Sequence, residues 1–251
     1  MNLEYIPLLH VQRDLYRLPR GWERFQEYLA TMVDPETRDI KLPLSGMNPM
    51  GKDHIPALLD QYLALEADQI AAQITTEALS DLAEVTGDMK VALVISDDAQ
   101  GGWTNRYSTE FSHRFEPQAY LKRGWLVGIL WTSESPSVAT LREAVLTTIY
   151  RFAYIHHHGF AHTLGEMLAQ EGYAMARAGC TGPRLDSEEL AYTKMVIEPH
   201  LSTTSYPLLI ACLFGDEGAN SLGYQPPGLS HRAGLALALE MARWQDDKMT
   251  R

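Results

Sequence analysis

Four of the nine histidines fall within seven residues, His156, His157, His158 and His162. Glu166 and Glu171 follow at once in the stretch IHHHGFAHTLGEMLAQEG. Imidazole gains and loses its proton near neutral pH and is the commonest metal ligand, so this is the segment in which to look for chemistry. Leu164, Leu168 and Met175 step by four and seven and mark a core-facing helical stripe, on which Glu171 also falls. A carboxylate facing a core is costly unless it is paired, hydrogen-bonded or bound to a metal. His162 and Glu166 lie one helical turn apart, so their side chains are expected to meet. The chemistry this offers is a metal held by His158, His162 and Glu171, with a position open for water and Glu166 as the base. A plainer use competes with it. Gly159 separates two helices, and the triple histidine then caps a helix C-terminus, where positive charge is favoured, while Glu171 pairs with an arginine or accepts backbone hydrogen bonds.

Two further stretches carry candidate residues. DDAQGGWTNRYSTEFSHRF leaves an apolar run and gathers Asp97, Asp98, Trp103, Asn105, Arg106 and His113. A Gly-Gly loop with an aromatic ring and a guanidinium is the kind of segment that binds ligands, and Trp103, Arg106 and His113 are the substrate-binding candidates. The alternative is that Trp103 covers a sheet edge and Arg106 pairs with an acid. Gly46 to Lys52 reads G-x-x-x-x-G-K, the skeleton of a phosphate loop. However, Asp53 stands where a magnesium-binding hydroxyl is needed, and Pro49 removes a backbone donor, so nucleotide binding through Gly46–Asp53 is a minor alternative. No Gly-x-Ser-x-Gly elbow is present to support a serine hydrolase.

The elements that must position these residues follow from periodicity. Residues 1–20 show no clear period and are expected to wrap the outside. Gly21 to Val33 reads as a helix stopped at Asp34-Pro35, and the Gly/Pro-rich DIKLPLSGMNPMGKDHIP as a loop. Ile55 to Val85 reads as one long helix, or two joined near Glu66–Asp68. Met89–Ser96, Ser108–Glu116 (with Phe111, His113 and Phe115 on one face) and Gly124–Trp131 read as three strands. Their short connections predict at least one antiparallel pair. Helices are expected at 138–157, at 160–178 closing on Gly179, after a cap at Asp186 or Ser187, and at 205–214 and 230–244. This is an α+β architecture, mostly helical around a small sheet of about three strands. An N-terminal helical region (1–86) precedes a sheet and helical core (87–251), within one compact domain.

The order strand (GWLVGILW), helix, turn and TLGEMLAQEGYAMA resembles that of zinc peptidases of the gluzincin type. In that family a second helix supplies the third metal ligand from a Glu-Gly-hydrophobic-Ala element. Glu171, in Glu171-Gly172-Tyr173-Ala174, matches that position, and the later LFGDEGANSLGYQPPG is similar to a Gly-Tyr tail of some such proteins. The resemblance spans roughly residues 125–240 and implies a zincin-like core, zinc and metal-dependent hydrolysis. Where the family carries His-Glu-x-x-His, this chain reads TTIYRFAYIHH. Two outcomes stay open: the clustered histidines take over as ligands, or the scaffold persists without the peptidase chemistry, as a non-catalytic or ligand-binding protein.

Composition narrows the partners. The 251-residue chain carries 21 basic and 32 acidic residues, a net charge of −11, with no basic arm. Such a surface repels phosphate backbones, so a small molecule or peptide is expected rather than nucleic acid. Cys180 and Cys212 belong to no paired metal spacing and read as reduced and buried. No apolar run approaches the length of a membrane span, and the polar N-terminus lacks a signal-peptide core, so a cytoplasmic protein is expected.

Overall fold

The computed structural model describes residues 2–82, 85–99 and 104–249, with side chains to residue 244. Its sheet has three strands, β1 (Asn2–Tyr5), β2 (Asp88–Ser96) and β3 (Trp125–Trp131), in the order β1-β2-β3. Both pairs are parallel, Tyr5 opposite Val91 and Val91 opposite Leu126. The expected antiparallel pair is therefore absent among the described residues. Parallel neighbours need crossovers, and helices fill both connections. Between β1 and β2 run α1 (Leu8–Leu15), α2 (Trp22–Met32), α3 (His54–Ala64) and α4 (Ala67–Ala78). Between β2 and β3 run α5 (Arg106–Phe115) and the single turn α6 (Gln118–Leu121). Val91 to Ile95 are all at most 1% exposed, as expected of a central parallel strand covered on both faces.

Two expectations fail for physical reasons. Residues 1–20 hold a strand and a helix, but a four-residue strand is too short to show a period. Ser108–Glu116 is not a strand. Asn105 caps α5 by accepting from Ser108 N, and Tyr107, Phe111 and Phe115 are buried at intervals of four. The same residues that alternate as Phe111, His113 and Phe115 also satisfy a helical stripe, and the cap decides between them. The expected break near Glu66 is real: Glu66 takes a left-handed φ of 57° between α3 and α4.

The helices that follow are α7 (Val138–His158), α8 (Leu164–Arg177), α9 (Ser187–Ile197), α10 (Tyr206–Ser221, broken at Gly215) and α11 (Ala233–Met249), completing a mostly helical α+β fold. Its helices divide between two units. One comprises Met1–Thr104 and Gln118–Thr148, the other Asn105–Pro117 and Ile149–Arg251. No boundary falls at residue 86, because β1 pairs with β2 and ties the N-terminal helices to the sheet. In the second unit α8 packs closely on α11. A Cβ on Gly172 would stand 2.5 Å from the Ala238 carbonyl oxygen, so only glycine allows that approach.

In the first unit β1 ends at Tyr5, leaving the edge of β2 beyond Val91 without a strand. Gln12 of α1, fully buried, fills the gap. Its Nε2 donates to Ile95 O (3.2 Å) and its Oε1 accepts from Ile95 N (2.9 Å), as a peptide unit of a neighbouring strand would. Gln12→Leu keeps the approximate volume and strands both Ile95 groups. We expect a loss of about 1–3 kcal/mol for each group left unpaired, measured by urea unfolding. A change below about 0.5 kcal/mol would mean the carboxamide is not acting as a strand surrogate.

Candidate functional site

Ligands of open parallel sheets bind outside the carboxyl ends of the strands, where loops converge and backbone polar groups are unspent. Here β2 runs into Asp97-Asp98 and β3 into Thr132-Ser133. Asp97 is 3% exposed. Its Oδ2 accepts from Asn48 Nδ2 (2.9 Å), and its Oδ1 lies 2.9 Å from His54 Nε2 and 3.1 Å from Thr132 Oγ1. Asp98 is held by Ser133, whose N and Oγ donate at 2.9 and 2.6 Å. A carboxylate only accepts, so Nε2 of His54 donates to it, and in the neutral ring Nδ1 carries the lone pair. Nδ1 is buried and has no hydrogen-bond partner, and the same is true of Ser96 Oγ at the end of β2. Buried polar atoms without partners are rare and mark strain, bound water or a ligand position.

The loop ahead of α3 brings Asn48 and His54 to this edge. The Asn48 carbonyl accepts from Tyr16 OH (2.5 Å) and Gly51 N (3.0 Å), and its Oδ1 accepts from Met50 N (3.0 Å). Gly51 has no room for a Cβ, which would lie 2.1 Å from Ile55 Cδ1 and 3.1 Å from the Asn48 carbonyl. The G-x-x-x-x-G-K spacing thus serves a tight turn over the sheet. The loop stands at the end of the parallel sheet, but the carboxylate of Asp97, bonded to Asn48, opposes a phosphate.

A second cluster lies wholly in the second unit. Glu110 of α5 accepts from Arg114 (Nε 2.9 Å, Nη2 2.6 Å) and from Arg232 (Nη1 2.7 Å, Nη2 2.5 Å), and Arg106 Nε is 3.8 Å away. Glu171 accepts from Arg151 (Nε 2.6 Å, Nη2 3.0 Å) and from Arg114 Nη1. Burial alone would raise both carboxyls, but the surrounding guanidinium charges outweigh it. Glu171 is held at about 2 by Arg151 and Arg114, and Glu110 well below the carboxylate range. Burial, reinforced by Arg151, pushes His113 down to about 4, so it is neutral at pH 7.

The histidine–glutamate segment takes its plainer form. α7 continues through His156, His157 and His158, all exposed at its C-terminus; His158 stacks on Tyr154 at 4.2 Å and its Nδ1 lies 3.1 Å from the Tyr154 carbonyl. α8 starts at Leu164, four residues later than expected, because Thr163 is its cap. Glu166 is exposed and closes the capping box: its Oε2 accepts from the backbone N–H groups of His162 (2.8 Å) and Thr163 (3.0 Å). Those bonds hold its carboxyl below the ordinary range. Glu166 thus meets the backbone of His162, not its imidazole. The helical wheel was right about Glu171, which is fully buried, but guanidinium groups meet it there. Among the described residues no three His, Cys, Asp or Glu side chains are placed to hold a metal ion, so His158, His162 and Glu171 do not form the expected ligand set. Gly172, beside Glu171, has its own reason in the packing of α8 on α11.

Of the substrate-binding candidates, Arg106 and His113 share α5 with Glu110, while Trp103 lies outside the described residues. Asn48, His54 and Thr132 were missed. Their signal was two apolar runs each ending directly in oxygen-bearing pairs, Asp97-Asp98 and Thr132-Ser133, which is how neighbouring parallel strand ends read. Cys180 and Cys212 are both buried, and no helix among the described residues is long and apolar enough to cross a membrane.

No family model matches the chain. No solved structure matches it. An uncharacterized protein of Bacillus subtilis (strain 168), YjfC, is 34% identical over 96 residues, a match that covers 35% of this chain and 32% of that protein. The chain thus spans about a third of the length of the relative it matches.

Two outcomes follow from the charge cluster. Glu171→Gln leaves Arg151 and Arg114 facing a neutral amide in a buried site. Breaking one side of such a pair costs about 3–5 kcal/mol, readable by urea unfolding, and a loss under about 1 kcal/mol would show that the arginines find water instead. The second outcome is acid sensitivity. His113 binds its proton less readily folded (about 4) than unfolded (6.5), so the unfolded chain takes up protons first as pH falls. Its contribution is intact above about 6.5 and is lost between there and 4. Thermal unfolding from pH 7.5 to 4 is expected to show a midpoint that declines below about 6.5, and a shallower decline in His113→Gln. An identical slope in the variant would assign the acid limb to other groups.

Proposed function

We propose that the protein is a hydrolase for small molecules, working at the carboxyl edge of β2 and β3 with His54 as general base. One observation carries this reading: His54 is held by buried Asp97 through Nε2, leaving the Nδ1 lone pair with no protein partner. Asp97 plays the orienting role that a carboxylate plays beside a catalytic imidazole. It fixes the tautomer and stabilises the imidazolium that forms when Nδ1 takes a proton from water. Asn48 and Thr132 keep that carboxylate in place, and neither of them reacts. Asp97, Asp98 and Asp53 make the edge acidic, which favours a neutral or cationic substrate over a phosphate ester.

This reading replaces the zinc site at the histidine segment with metal-independent chemistry, for which the support is the arrangement of Asp97 and His54. It keeps the expectation of a hydrolase and of a small-molecule partner.

The test is turnover of a panel of neutral chromogenic esters and amides beside phosphate esters, by wild type, His54→Gln and Asp97→Asn, each checked for native circular dichroism. We expect hydrolysis of at least one neutral substrate. His54→Gln should lower kcat by about 100- to 10,000-fold, the usual contribution of a positioned general base. Turnover undiminished in His54→Gln, or confined to phosphate esters and dependent on added metal, would contradict the proposal.

A further inference from the structure

Arg24, on the inner face of α2, is a buried cation whose hydrogen bonds all go to neutral groups. It is 7% exposed. Its Nε and Nη2 donate to the Leu18 carbonyl at 2.8 and 2.6 Å, and its Nη1 lies 3.4 and 3.5 Å from the carbonyls of Pro49 and Gly51. The guanidinium also lies 5.1 Å from the centre of the Tyr16 ring. Among the described residues it forms no ion pair, although Asp53 attracts it and Arg20 repels it. Burying a charge without an opposite charge is costly, a cost an apolar side chain avoids. What the guanidinium offers instead is a planar fork of donors that reaches two chain segments at once. One segment is the turn between α1 and α2, and the other is the loop leading into α3.

That loop is held at three of its four carbonyls from Asn48 to Gly51. Tyr16 OH donates to the first (2.5 Å), and Arg24 faces those of Pro49 and Gly51. A Cβ on Gly51 would stand 3.1 Å from the Tyr16 hydroxyl, so glycine lets the loop come this close. Two connections run from the loop to the candidate site. Asn48 Nδ2 donates to Asp97 Oδ2 (2.9 Å), and His54, three residues past Gly51, opens α3 and meets Asp97 Oδ1 (2.9 Å). An unbroken line of contacts thus joins Arg24 and Tyr16 to Asn48, Asp97 and His54.

We propose that Arg24 is a positioning residue for His54: by fixing the loop at Pro49 and Gly51, it sets the Asn48 amide and the start of α3 so that Asp97 and His54 meet. The proposal deepens the reading of His54 as a general base and rests on it. Arg24 does not touch the imidazole, so its effect is on direction alone. Lysine keeps the charge but gathers its three donors on one nitrogen, which cannot serve Leu18 and the loop carbonyls together.

The experiment is nitrogen NMR of the imidazole rings in the full chain, comparing wild type, Arg24→Lys and Tyr16→Phe, each checked for native circular dichroism. Tyr16→Phe keeps the ring against Arg24 and removes only the hydroxyl that bonds to Asn48. We expect both variants to lose the single Nε2-protonated form of His54 and show averaged tautomers, with the rings of His200 and His231 unchanged. A purely structural role would lower the unfolding midpoint and leave the ring of the folded protein as it was. Where wild type turns over a neutral ester, Arg24→Lys should lower kcat by about 10- to 100-fold at nearly constant KM, the scale of a small misplacement. The ring signals need no turnover, so absence of hydrolysis would fault the reading of the site, while the change at His54 would still establish the positioning role. A folded Arg24→Lys whose His54 signals match wild type would overturn the proposal. If that variant does not fold, unchanged His54 signals in Tyr16→Phe would overturn it.

Discussion

The carboxylate of Asp97 is the interaction on which the first unit's candidate site depends. It gathers three segments that are distant in sequence, the Asn48 loop, the start of α3 at His54 and the residue after β3, Thr132, onto the end of β2. A buried carboxylate is destabilising unless its oxygens are used, and here both are. The arrangement is possible only because the sheet is parallel, so that β2 and β3 deliver their C-terminal residues to one side. Gln12 then completes the edge of β2 where β1 stops short, which lets loops rather than a strand approach the end of the sheet.

The second unit also buries carboxylates, but satisfies them with guanidinium groups. Buried ion pairs seldom stabilise a fold over an apolar core, because desolvation offsets most of the attraction. The network of Glu110 and Glu171 with Arg106, Arg114, Arg151 and Arg232 is therefore poorly explained by stability alone. It joins α5, α7 and α8 to Arg232, the residue ahead of α11, and leaves the oxygens of both acids occupied. The capping box of α8 and the close packing of α8 on α11 through Gly172 hold the helix that carries Glu171 to Arg151 and Arg114.

Much of this was legible in the chain. The helical stripe of Leu164, Leu168 and Met175 placed Glu171 in the interior and required a partner for it. The apolar runs 89–96 and 124–131 announced two of the strands, and the mostly helical α+β class followed. What could not be read was pairing between distant residues. The four-residue β1 carries no period, so nothing in the sequence revealed that the sheet was parallel, and without that the ends of β2 and β3 could not be recognised as neighbours. The histidine run misled for a related reason. Clustering in sequence is not convergence in space, and consecutive residues of a helix point in different directions, as His156, His157 and His158 do at the end of α7. His54, alone in a Gly/Pro-rich stretch, is brought to Asp97 by tertiary contacts.

The most direct measurement is nitrogen NMR of the imidazole rings in uniformly labelled protein at neutral pH, with His54 assigned by comparison with His54→Gln. The account predicts that His54 is a single fixed tautomer, protonated on Nε2 with an unprotonated Nδ1, and that Asp97→Asn releases it to the mixture of tautomers found in exposed histidines. A His54 ring protonated on Nδ1, or one whose tautomer is indifferent to Asp97, would contradict the claim that this carboxylate prepares His54 to accept a proton.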